Sequence, residues 1–128
     1  MRILLDTHVA LWAITDDPRL PETARSMIGD RSNQVYVSAA SIWEITIKHA
    51  VKRDDMPVSG TRALAFFHSA GYELLDITAR HAASVEALPS LHTDPFDRLI
   101  VAQAIAEPLR LMTRDAMVAR YSDTIIRI

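Results

Sequence analysis

Four carboxylates fall where short apolar runs give way to helical ones: Asp6, Glu44, Asp97 and Asp115. Asp6 ends Ile3-Leu4-Leu5, and Thr113-Arg114-Asp115 directly follows Leu109-Arg110-Leu111-Met112. Glu44 lies in the second turn of a helical stretch after Val35-Tyr36-Val37, and Asp97 in the first turn of one that opens at Asp94-Pro95. Carboxylates brought together repel unless something positive sits among them. A hard divalent cation such as Mg²⁺ or Mn²⁺ takes a few carboxylates and keeps several waters. Such ions activate a water and stabilise the leaving oxygen of a phosphodiester. The chain has no Cys, which excludes thiolate catalysis and Cys-ligated metal sites. His8, His49, His68, His81 and His92 show no zinc-ligand spacing and read as surface or packing residues.

Each acid also has a plain structural role open to it. Asp6 can cap the helix starting at Thr7. Glu44 and Lys48 form an i,i+4 pair in the favourable order, although Glu44 borders an apolar stripe with Ala40, Ile47 and Val51. Asp94 is the expected N-cap before Pro95, and Asp97 three residues on could complete a capping box. Asp115 could complement the dipole of a helix capped by Thr113.

The elements that must hold these acids alternate. Strands are expected at Ile3–Leu5, Val35–Val37, Glu73–Leu75, Leu109–Met112 and Thr124–Ile128, the last at an edge. Helices are expected at Thr7–Thr15, Pro21–Ile28, Ala39–Lys52, Thr61–Ala70, Ala79–Ala87, Pro95–Ala106 and Asp115–Tyr121. Gly29 and Gly71 follow helical runs, where a left-handed C-cap is favoured. Alternating helices and short apolar strands predict an α/β fold with a mainly parallel sheet of four to five strands, covered on both faces. Sites in such sheets form at the carboxyl ends of the strands, where all four acids would converge.

A chain of 128 residues predicts one domain over 1–128. A formal net charge of -2 disfavours nucleic-acid binding through bulk charge, but the balance turns slightly positive once the four acids are set aside. There is no apolar run long enough for a membrane span or a signal peptide, so a cytoplasmic protein is expected.

The segments Leu4-Leu5-Asp6-Thr7-His8-Val9-Ala10-Leu11-Trp12, Ser41-Ile42-Trp43-Glu44-Ile45 with Lys48, His92-Thr93-Asp94-Pro95-Phe96-Asp97-Arg98-Leu99-Ile100-Val101-Ala102-Gln103-Ala104, and Leu111-Met112-Thr113-Arg114-Asp115 together resemble the PIN-domain nucleases, specifically the VapC-type toxins of bacterial type II toxin–antitoxin modules. The resemblance implies a three-layer α/β/α fold and Mg²⁺ or Mn²⁺ held by Asp6, Glu44, Asp97 and Asp115. Asp6 and Asp97 would be principal ligands, Glu44 a ligand or water orienter, and Asp115 the acid with the most variable contact. Thr7 and Thr113 are expected to orient carboxylates, Arg98 and Arg114 to contact substrate phosphate or the acids, and Asp94 to cap and border the pocket. It further implies an RNA substrate, inhibition of translation, a cognate VapB-type antitoxin, and operator DNA bound only through that antitoxin.

The expected chemistry is in-line attack of an activated water on an RNA phosphodiester, leaving a 5′-phosphate and a 3′-hydroxyl. A Mg²⁺-binding receiver domain is the rival reading; Asp76 could be its acceptor, but Lys48 and Lys52 are both in the Glu44 helix. A PIN nuclease outside a toxin–antitoxin module is the other. Trp12 with Phe66-Phe67 reads as core packing or as a groove for an antitoxin helix. Ile42 and Ile45 lie off the Ile47–Val51 stripe, so that helix has two apolar sides and a homodimer is expected.

Overall fold

The computed structural model describes residues 1–52, 54 and 56–128. Five strands form one sheet: β1 (Arg2–Leu5), β2 (Gln34–Ser38), β3 (Glu73–Leu75), β4 (Arg110–Thr113) and β5 (Ile126–Arg127). Their order is β3-β2-β1-β4-β5 and every pairing is parallel. The central strand is β1, in which Ile3, Leu4 and Leu5 are completely buried. A strand covered on both faces needs this unbroken apolar run.

Side-chain alternation along β1 divides the core into two layers. Ile3 and Leu5 pack with Val35, Val37 and Met112 beneath α1 (Thr7–Thr15), α2 (Glu22–Gly29), α3 (Ala39–Ala50) and α4 (Gly60–Ser69). Leu4 packs on the other face with Ile100, Val101 and Ala104 of α6 (Pro95–Ala106) and Val118 of α7 (Ala116–Ala119). Short α5 (Ala79–Ser84) continues as a 3₁₀ turn over Val85–Ala87 and leads into α6. The three-layer α/β/α architecture expected from the sequence is present, with the last strand at an edge.

Several local expectations differ. Gly71 adopts φ +81, but Gly29 closes α2 without a left-handed residue; the left-handed cap sits instead at Asp16, φ 52, after α1. Asp tolerates that region because its short polar side chain bonds locally. α7 is shorter than the predicted 115–121 helix and is capped by Asp115 itself, not Thr113. α3 buries Ala40, Ser41, Glu44 and Ile45, whereas Ile47 and Val51 face outward. The apolar stripe thus lies on the Ile45 side, and Trp43, Ile47 and Val51 make the second, exposed apolar side. α4 crosses α3 at Gly60, where a Cβ would stand 1.8 Å from Thr46 Oγ1.

Candidate active site

Strand ends and helix starts meet at the carboxyl edge of the sheet. Asp6 leaves β1 with its backbone N–H bonded to the Met112 carbonyl of β4 (3.0 Å). Its carboxylate caps α1, Oδ1 accepting from Val9 N–H at 2.9 Å, and Oδ2 accepts from Thr113 Oγ1 at 2.5 Å. Thr113 Oγ1 in turn accepts from the Asp115 N–H at 3.0 Å. One hydroxyl therefore ties β1 to the turn that carries Asp115. The Thr7 hydroxyl touches no carboxylate among the described residues; it donates to Ser41 Oγ at 2.9 Å, pinning the start of α1 to α3.

Glu44 is 2% exposed, deep for a carboxylate. Lys48 Nζ donates to its Oε2, while Oε1 is buried without a hydrogen-bond partner. Asp97 and Asp115 converge on one imidazole, His92 Nε2 lying 3.0 Å from Asp97 Oδ2 and 3.2 Å from Asp115 Oδ2. The Oδ1 of Asp115 caps α7 through Met117 N–H at 2.8 Å. Asp94 caps α6, accepting from Phe96 N–H at 2.8 Å and Asp97 N–H at 3.1 Å. Asp94 thus takes the cap, and the Asp97 carboxylate faces His92 instead.

Electrostatics show how close the acids lie. Burial raises the Asp6 carboxyl above the usual range, opposed by Thr113, the Val9 N–H and His8, and assisted by Glu44. Asp97 is pushed up to about 7, first by burial, then by the charges of Asp94, Asp6 and Glu44, with His92 opposing. Carboxyls that raise one another share a poorly solvated space. Their donor set is oxygen-rich, and the orphaned Glu44 Oε1 is a buried acceptor without a donor. Both features suit a hard divalent cation. His92, Asp97 and Asp115 also place one donor atom each within 4.8 Å of one another.

Of the two arginines, Arg114 lies beside the acids, whereas Arg98, among the described residues, pairs with none of them. Arg98 donates to the carbonyls of Val85 (3.3 Å), Pro89 (3.1 Å) and His92 (3.4 Å) and to Tyr121 Oη (3.1 Å). It braces the loop before α6, a guanidinium presenting several donors to that loop's carbonyls. Arg114 is exposed; it donates to the Arg19 carbonyl at 3.0 Å and borders a cavity of about 250 Å³ with Asp6, His8, Trp12 and Asp115. His92 is the site residue that sequence reasoning missed. It belongs to no histidine pair; its signal is its place two and five residues ahead of Asp94 and Asp97. Its own backbone N–H is held by Tyr121 Oη at 2.9 Å.

A parallel α/β/α sheet with acids from four distant segments at its carboxyl edge meets its counterpart in known proteins: residues 3–123 match the PIN domain, and the chain belongs to that family. It is 33% identical over 116 residues to Ribonuclease VapC22 of Mycobacterium tuberculosis, spanning 88% of this chain and 86% of that one. The fold is similar to that in the crystal structure of VapBC2 from Rickettsia felis bound to a DNA fragment from their promoter, with a TM-score of 0.72 at 21% identity over 100% and 98% of the two chains. It is similar also to FitAcB from Neisseria gonorrhoeae, with a TM-score of 0.62 at 21% identity over 98% and 96%. Among the described residues, no helix is long and apolar enough to cross a membrane.

Proposed function

We propose that this chain is a divalent-metal-dependent endoribonuclease, the toxin of a VapBC-type pair, which cleaves RNA to inhibit translation. The observation that carries the reading is the unpartnered Glu44 Oε1, buried among carboxyls that burial and mutual repulsion have raised. Asp6, Glu44, Asp97 and Asp115 would hold Mg²⁺ or Mn²⁺, with His92 beside the last two. A divalent ion supplies the positive charge that activates water and stabilises the leaving oxygen. The protein's own contribution is rigidity. Val9 N–H and Thr113 fix both oxygens of Asp6, Lys48 fixes one oxygen of Glu44 and leaves the other available, and Asp94 takes over capping so that Asp97 does not. Such support fixes ligand orientation. In-line attack of water on phosphorus expels the 3′-oxygen and leaves a 5′-phosphate.

The VapC relative and the fold shared with antitoxin complexes support a VapB-type antitoxin as partner, with operator DNA contacted through it, and a cytoplasmic site of action. Trp43, which is 57% exposed, Ile47 and Val51 on the outer side of α3 support a homodimer. For the receiver reading, Asp76 ends the edge strand β3, and Lys48 is committed to Glu44.

The test is RNA incubated with purified protein in Mg²⁺ or Mn²⁺ and in excess chelator, with end mapping of products. Cleavage should require metal, yield 5′-phosphates and vanish in Asp6→Asn, whose fold is checked by circular dichroism. Full activity in chelator, or in Asp6→Asn, overturns the reading. Cleavage without growth arrest on expression would place the enzyme outside a toxin–antitoxin module.

A further inference from the structure

The cavity beside the acids has a composition that phosphate binding does not explain. Its walls are Asp6, His8, Trp12, Arg114 and Asp115. His8 and Trp12 lie one turn apart on α1, with ring centroids 6.2 Å apart and planes tilted by 55°. Arg19 lies over the indole, Cζ 5.2 Å from the ring, and is held there by Asp17, which accepts from Nε at 3.0 Å and Nη2 at 2.7 Å. Arg114 is tethered through Nη1 to the Arg19 carbonyl, which leaves its remaining donors at the cavity rim.

From this arrangement we propose that the cavity is a subsite for one unpaired nucleobase of the RNA, next to the phosphate that is cut; the proposal rests on the ribonuclease reading above. The surface beside the acids selects a base: the rings of His8 and Trp12 and the guanidinium of Arg114 are flat faces on which bases stack irrespective of sequence. About 250 Å³ has room for one base, and stacking on these faces needs that base unpaired. The indole is already braced by Arg19 and the core, so little ordering is needed on binding. Because the same acids line both the cavity and the reactive centre, the bound base fixes which phosphate reaches them.

The chain's two tryptophans provide the measurement. Indole N–H signals are followed by ¹⁵N-resolved NMR, assigned with Trp12→Phe, while adenosine or cytidine 5′-monophosphate is added, with ribose 5-phosphate as the baseless control. The Trp12 signal should shift saturably with the nucleotides and stay fixed with the sugar phosphate. Arg114→Ala, at an exposed position, should weaken that response about fivefold. In RNA cleavage, Trp12→Leu should raise KM about tenfold with kcat within about twofold, in line with the loss of one stacked base, and Trp12→Phe should restore most of it. An unmoved Trp12 signal at millimolar nucleotide, or an equal shift from ribose 5-phosphate, overturns the subsite even if RNA is cleaved. In that case the cavity takes a protein partner's side chain instead. A saturable shift without any cleavage would uphold the nucleotide site and bring down the nuclease reading alone.

Discussion

Asp97→Asn should make the protein more stable, and by an amount that depends on pH. Asp97 is 22% exposed and its carboxyl is pushed from 3.8 to about 7. Between about pH 4 and pH 7 the unfolded chain has lost this proton while the folded one keeps it. Stability therefore falls as pH rises through that window, and the full penalty is present above 7. The difference corresponds to about 4 kcal/mol at most. Asn removes the charge, keeps an acceptor for His92 and has nearly the same shape. In chelator, the variant should exceed wild type by about 1 kcal/mol at pH 5 and by about 2–4 kcal/mol at pH 8. For a domain of this size that amounts to about 8–15 °C in Tm. Scanning calorimetry at both pH values, with and without Mn²⁺, measures it. Mn²⁺ should close the gap by stabilising wild type, by about 2.7 kcal/mol at a hundredfold excess over Kd, and leave the variant unmoved. A variant less stable than wild type at pH 8, or a gap independent of pH, would refute the argument that burial and repulsion strain this carboxyl.

Lys48→Met leaves Glu44 buried without its cation and should cost about 2–4 kcal/mol in urea unfolding at pH 7, most of it recovered when Glu44→Gln is added. Arg98→Ala removes donors from three loop carbonyls and Tyr121. It should lower stability by about 2 kcal/mol and speed amide exchange across residues 85–92. Gly60→Ala forces a Cβ against Thr46 and should cost about 1–3 kcal/mol by thermal melt. The same change in a Thr46→Ala background should cost less, because the clashing oxygen is gone.

Asp6 and Asp115 were legible in the sequence because they abut apolar runs that can only be strands, and in a parallel sheet the ends of those strands share an edge. Glu44 and Asp97 followed from helix direction, since a helix leading into a parallel strand starts at that same edge. What escaped depends on contacts that no periodicity encodes. His92 reaches acids five and 23 positions away from a loop, and the partners of Arg98 are carbonyls whose placement only the folded loop defines. The buried side of α3 was misread for another reason. Counting apolar residues favours Ile47 and Val51, but Ser41 is buried with Thr7 as its partner, and Glu44 with Lys48 on one of its two oxygens. Polar residues with partners compete for the interior on equal terms, and a sequence shows the residues without the pairs.

The order of the strands has a consequence for when this site exists. β1 is made first, yet it is completed on one side only by β4, and the bond from Thr113 to Asp6 spans 107 positions. Closing so long a loop is slow, and a chain lacking β4 leaves one edge of β1 open. A growing polypeptide therefore carries Asp6 without Thr113 to orient it, and Glu44 without Asp115 to join it, until synthesis has passed β4.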